Sequence, residues 1–72
     1  MSDHRIIWVS PLAEGWTVSC TGLEPLIFQS GGRAEAQARR LALALAKLGR
    51  AVQVRIQDRA QNLVGTLLYP AP

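Results

Sequence analysis

Residues 30–49 read SGGRAEAQARRLALALAKLG, and this stretch decides the fold. Ala34, Ala38, Leu41, Leu45 and Leu48 recur at spacings of four, three, four and three. That rhythm places them on one stripe of a helix with 3.6 residues per turn. Ser30 is the natural N-cap, because its hydroxyl can accept a hydrogen bond from an unpaired amide of the first turn. Gly49 is placed for a left-handed C-terminal cap. Lys47 and Arg50 suit the negative end of the helix dipole.

Outward from the helix, the chain reads as strands. RIIWV at 5–9 is rich in β-branched and aromatic residues. WTVSCT at 16–21 alternates, with Trp16, Val18 and Cys20 on one face and Thr17, Ser19 and Thr21 on the other. LIFQ at 26–29 has the composition of a short third strand. Beyond the helix, AVQVRIQ at 51–57 alternates again, setting Val52, Val54 and Ile56 against Gln53, Arg55 and Gln57. LVGTLLY at 63–69 completes the set, and Pro70 ends it because proline cannot donate to a ladder. Turn-forming Gly, Pro, Asp and Asn residues separate the strands.

These signals predict an α+β fold: a small antiparallel sheet with a single helix, about residues 31–48, packed on one face. The order is β-β-(β)-α-β-β, the bracket marking residues 26–29. The expected core comprises Ile6, Trp16, Val18, Phe28, Ala38, Leu41, Leu45, Leu48, Val52, Val54 and Ile56. Trp8 and Tyr69 are read as core or sheet-packing residues. Seventy-two residues make one domain, with flexible ends at 1–4 and 70–72. A chain this short buries roughly 60% of the surface that its unfolded form exposes. It leaves little room for an enclosed substrate cavity.

Composition narrows the function classes. Seven Arg and one Lys against five acids give a net charge of +3. Such a surplus permits an anionic partner without requiring one. Cys20 is the single cysteine, so an intrachain disulfide and a multi-cysteine zinc site are both excluded. A solitary thiol on a strand face shared with Trp16 and Val18 reads as a buried core group. The start MSDHR has no apolar signal core, and the longest apolar run, LALALA at 41–46, is far too short to span a bilayer. The expectation is a cytoplasmic chain with no membrane partner.

Chemistry-bearing residues are scattered. Asp3, Glu14, Glu24, Glu35 and Asp58 fall in the tail, the turns and the helix start, and His4 is the single histidine. No pair of carboxylates and no His/Cys cluster has the spacing of acid–base or metal chemistry. The expectation is a non-enzymatic chain with no catalytic residue, metal, cofactor or small-molecule substrate.

The residues that stand out are on the helix surface. Arg39, Arg40 and Lys47, followed by Arg50, lie away from the Leu41 stripe. Leu43 lies nearly opposite Leu41 and Leu45, an apolar residue ringed by arginine. This patch suits a protein partner, a homodimer seam or, through its cations, nucleic-acid phosphates. A second possible contact is the apolar strand end at Leu67 and Leu68, where an edge could pair with another chain.

Four motifs carry a resemblance: Trp16-Thr17-Val18, then Phe28-Gln29-Ser30, then Ala34 to Ala38-Arg39-Arg40-Leu41-Ala42, then Val52-Gln53-Val54. In this order they resemble the small bacterial family called domain of unknown function 2188, over roughly residues 7–69. The resemblance implies a strand, a Phe-x-Ser helix entry, the helix and a closing hairpin. It implies no activity and no catalytic residue. The Trp-bearing sheet ahead of a helix is also similar, more weakly, to arm-type DNA-binding domains of phage-like integrases. At fold level it resembles small phage-encoded inhibitors of host complexes. The reading that follows is a small protein-interaction module, of the kind a phage or mobile element uses to inhibit or regulate a host protein. The alternative is a nucleic-acid accessory protein using the basic helix face.

Overall fold

The computed structural model describes residues 5–72; the terminal stretch with Asp3 and His4 lies outside the described residues. Five strands and one helix follow in the order β1 (Arg5–Leu12), β2 (Gly15–Cys20), β3 (Leu26–Phe28), α1 (Gly31–Lys47), β4 (Val52–Gln57) and β5 (Leu63–Tyr69). The class is α+β with the order β-β-β-α-β-β, and residues 26–28 do form a strand. The strands lie in one sheet, in the spatial order β3-β2-β1-β4-β5.

Three of the four pairings are antiparallel, and the fourth, β1 with β4, is parallel. The sheet is therefore mixed. A parallel pair needs a long crossover. Here β2, β3 and α1 supply it, and α1 brings the chain back to the end of the sheet where β1 starts. Pro11 lies inside β1, but the β4 pairing stops at Val9. Its missing N–H falls where β1 has only β2 beside it.

Register decides which residues enter the core. Ile7 pairs with Cys20 and Val54, and Val9 pairs with Val18 and Ile56. Side chains of register partners share a face. The buried set is Ile7, Val9, Val18, Cys20, Val52 and Val54 from the sheet, met by Ala34, Ala38, Ala42 and Ala46 from α1. Trp16, Phe28, Leu41, Leu45, Ile56, Leu67 and Tyr69 close the margins.

Two expected core residues are placed elsewhere. Ile6 is half-buried on the opposite face, beside Gln53, and Ile7 takes its core position. Leu48 follows the helix as its C-cap and is 81% exposed. The stripe that faces the sheet is four alanines spaced by four, not the mixed Ala/Leu stripe. Small side chains let the helix axis approach the sheet closely, and Leu41 and Leu45, one turn apart, then flank the contact on one side instead of filling it.

The helix ends follow the sequence closely. Ser30 Oγ accepts from the Arg33 amide at 3.2 Å, and Gly49 adopts φ 103°, donating its amide to the Ala46 carbonyl at 2.9 Å. Gly31 has a separate reason to be glycine. A Cβ there would stand 3.0 Å from the Trp16 ring. Trp16 also carries Arg59, whose guanidinium carbon is 5.4 Å from the ring centroid. Arg59 also donates to the Leu12 carbonyl at 2.8 Å, tying the β4–β5 turn to the β1–β2 hairpin.

Candidate interaction surface

One helix covers one face of the sheet, so the molecule has two outward surfaces: the back of α1 and the uncovered side of the sheet. Of the residues that stand out in the sequence, the basic residues and Leu43 lie on the helix side, and Leu68 lies on the uncovered side. Arg39, Arg40, Leu43 and Lys47 are exposed along α1, and Arg50 is exposed in the connection to β4. Leu43 is 51% exposed. Arg33, Arg40, Leu43 and Lys47, at spacings of seven, three and four, form the outermost stripe, opposite the alanines. Arg39 sits to one side, where its guanidinium is 3.7 Å from Glu35 one turn earlier. An exposed i,i+4 pair of this kind contributes about 0.3–0.5 kcal/mol. Ala46, by contrast, is buried against the sheet.

The uncovered sheet face holds the residues that the sequence reading missed. Register partners place Trp8 and Arg55 side by side at its centre, with Ser19 beyond Trp8 and Thr66 beyond Arg55. The Arg55 guanidinium carbon is 5.4 Å from the centroid of the Trp8 ring. Arg55 Nε donates to Gln53 Oε1 at 3.1 Å, and Ser10 Oγ donates to Gln57 Oε1 at 2.7 Å. These bonds hold a polar frame around the ring. Ile6 lies in the next row between Gln53 and the β2 end, and Leu68 and Ile27 stand at the two rims, 66% and 65% exposed.

Arg55 is the one charged residue among the described residues of this face. The described acids, Glu14, Glu24, Glu35 and Asp58, are in turns or on α1. Thr17 adds a buried hydroxyl oxygen with no hydrogen-bond partner among the described residues, on the row between Ser10 and Ile27. A signal for the face was present in the sequence. Trp8 is out of phase with Ile7 and Val9, and Arg55 belongs to the polar phase of its strand.

Two shallow clefts open at the other end of the sheet. One, of about 360 Å³, is lined by Arg5, Ile6, Cys20, Thr21 and Arg50. The second, of about 230 Å³, lies under α1 between Leu23, Leu26 and Leu41. Cys20 is a buried free thiol at the inner wall of both. Among the described residues, no group of three His, Cys, Asp or Glu side chains is close enough to hold a metal ion. No helix among them is long and apolar enough to cross a membrane.

No family model matches the chain, and neither a curated protein nor a solved structure does.

Proposed function

We propose that this chain is a non-enzymatic binding module that takes a protein partner on the uncovered face of its sheet. The observation that carries the reading is the Trp8–Arg55 pair at the centre of that face. Interface centres are depleted in charge and enriched in aromatic residues and arginine, and a few such residues carry most of the binding energy. The face has this composition: one tryptophan, one arginine, apolar Ile6, Ile27 and Leu68, and Ser, Thr and Gln between them. An inhibitor or regulator that acts by occupying a partner's surface is one form such a module takes.

The test is affinity capture from a nuclease-treated bacterial lysate with paired baits. A protein retained by the wild-type chain and by Leu43→Asp, but lost with Trp8→Ala, supports the reading. Retention by Trp8→Ala with loss in Leu43→Asp moves the site to the helix and overturns it.

A second reading rests on α1. Arg33, Arg40 and Lys47 line one exposed stripe, and Arg50 adds a cation just past its end. Three or four phosphate contacts would give binding that falls steeply with salt. Nucleic-acid binding that weakens across a salt titration and is lost in Arg40→Ala/Lys47→Ala would favour this reading. Among the described residues the Trp8 face has one cation, which suits a protein better than a phosphate backbone.

A further inference from the structure

The two edges of the sheet are unlike. β3 is three residues long and follows Pro25, so it offers little backbone to a neighbour. β5 is seven residues long, Leu63–Tyr69, with no proline and no charged residue. Natural edge strands are kept from pairing by shortness, lysine, proline or strong bulges. Of these β5 has one device, a register slip opposite Ile56 and Gln57 that leaves Val64 as the extra residue. From Gly65 onward its pairing to β4 is regular, and among the described residues no strand lies beside its outer backbone groups.

From Val64 onward the exposed side chains of β5 also alternate. Val64, Thr66 and Leu68 are exposed, while Gly65, Leu67 and Tyr69 are half-buried against the helix side. Val64 is 61% exposed and Leu68 is 66% exposed. We propose that β5 pairs antiparallel with β5 of a second copy about a twofold axis through Thr66, joining two sheets into one of ten strands.

The strand is complementary to itself. A twofold at Thr66 sets Leu68 of each copy opposite Val64 of the other, so each exposed apolar side chain gains an apolar neighbour. An isologous interface requires this reciprocity. Charge does not oppose the pairing. Arg55 is the nearest cation on the sheet and lies one strand in from the seam. Three strand spacings then separate the two Arg55 positions, about 14 Å, which exceeds the Debye length of about 8 Å at physiological salt. The seam leaves the Trp8 face open on both copies, so the inference stands whether or not that face binds a partner.

Thr66 supplies the test, because two identical charges there would stand against each other across the axis, where like charges oppose pairing. Sedimentation of the whole chain from about 1 μM to 1 mM reads the association. The expected result is a concentration-dependent wild-type dimer, weakened about tenfold or more in Thr66→Lys and in Thr66→Glu alone. An equimolar mixture of the two variants then restores the dimer. Hydrogen exchange on the wild-type chain provides an arm that needs no variant: amides of residues 64–68 gain protection as concentration rises. The inference is overturned if the wild-type chain stays monomeric over the whole range. It is overturned equally if both charge variants still dimerise, if their mixture does not, or if Trp8→Ala abolishes association.

Discussion

Arg55 and Trp8 are register partners on adjacent parallel strands, and the guanidinium carbon stands 5.4 Å from the centroid of the indole ring. A cation over a half-exposed tryptophan is worth about 0.5–1 kcal/mol. A double-mutant cycle with Trp8→Leu and Arg55→Met, read by thermal or urea denaturation, should return a coupling of that size. Coupling near zero would show that the pair adds nothing to folding. Both single variants should remain folded, since neither residue belongs to the alanine-lined core.

The two glycines at the start of α1 should respond oppositely to alanine. Gly32 faces open space, and Gly32→Ala should stabilise the protein by up to about 1 kcal/mol through helix propensity. At Gly31 the added Cβ meets the Trp16 ring at 3.0 Å. The ring does not yield easily, because Arg59 also packs on it. Gly31→Ala should therefore lower the melting temperature, and a rise for both variants would show that Trp16 moves freely.

The alanine stripe predicts an inverted size rule for α1. Ala42 is fully buried, whereas Leu48 is 81% exposed. Ala42→Leu should destabilise by about 1–3 kcal/mol through overpacking. Leu48→Ala should change stability by less than about 0.5 kcal/mol. Denaturant midpoints of the two variants decide the matter, and a large loss for Leu48→Ala would contradict the packing described above.

Asp58 organises the turn between β4 and β5. Its Oδ1 accepts from the amides of Ala60 and Asn62, both at 2.9 Å. Gln61 inside the turn has φ 63°, a region in which a side chain is strained. Asp58→Ala should cost about 1 kcal/mol. Gln61→Gly should be neutral or stabilising by a few tenths of a kcal/mol, because relief of strain is offset by chain entropy. Equilibrium unfolding of both variants tests the turn; a stabilising Asp58→Ala would refute its role.

Much of the architecture was readable because it is local. Alternation in 16–21 and 51–57 marks strands and their inner faces, and Ser30 and Gly49 mark the helix ends. The β1 face was not readable, because Ile6, Ile7, Trp8 and Val9 are all suitable for burial and no alternation breaks the tie. Pairing with Cys20 and Val54 breaks it, and those partners are remote in sequence. In α1 the repeat LALALA supports two neighbouring stripes. A hydropathy ranking favours the one with leucines, but close approach to a sheet favours the one with alanines. The Trp8–Arg55 surface depends on the β1–β4 register and so shares the fate of β1. The helix residues Arg39, Arg40, Leu43 and Lys47, with Arg50 just beyond the helix, are exposed on the other side of the molecule.

The parallel β1–β4 seam has a kinetic consequence. The two hairpins, β1–β2 and β4–β5, close over short loops, and α1 needs only local contacts. The seam instead joins segments whose register partners are about as far apart as Ser10 and Gln57, which hydrogen-bond across 47 positions. Loop-closure entropy makes such contacts slow to form. Folding should thus be limited by the docking of two preformed halves along Ile7–Val54 and Val9–Ile56. Substitutions there, such as Val54→Ala, should slow refolding, whereas changes in the Asp58 turn should mainly speed unfolding.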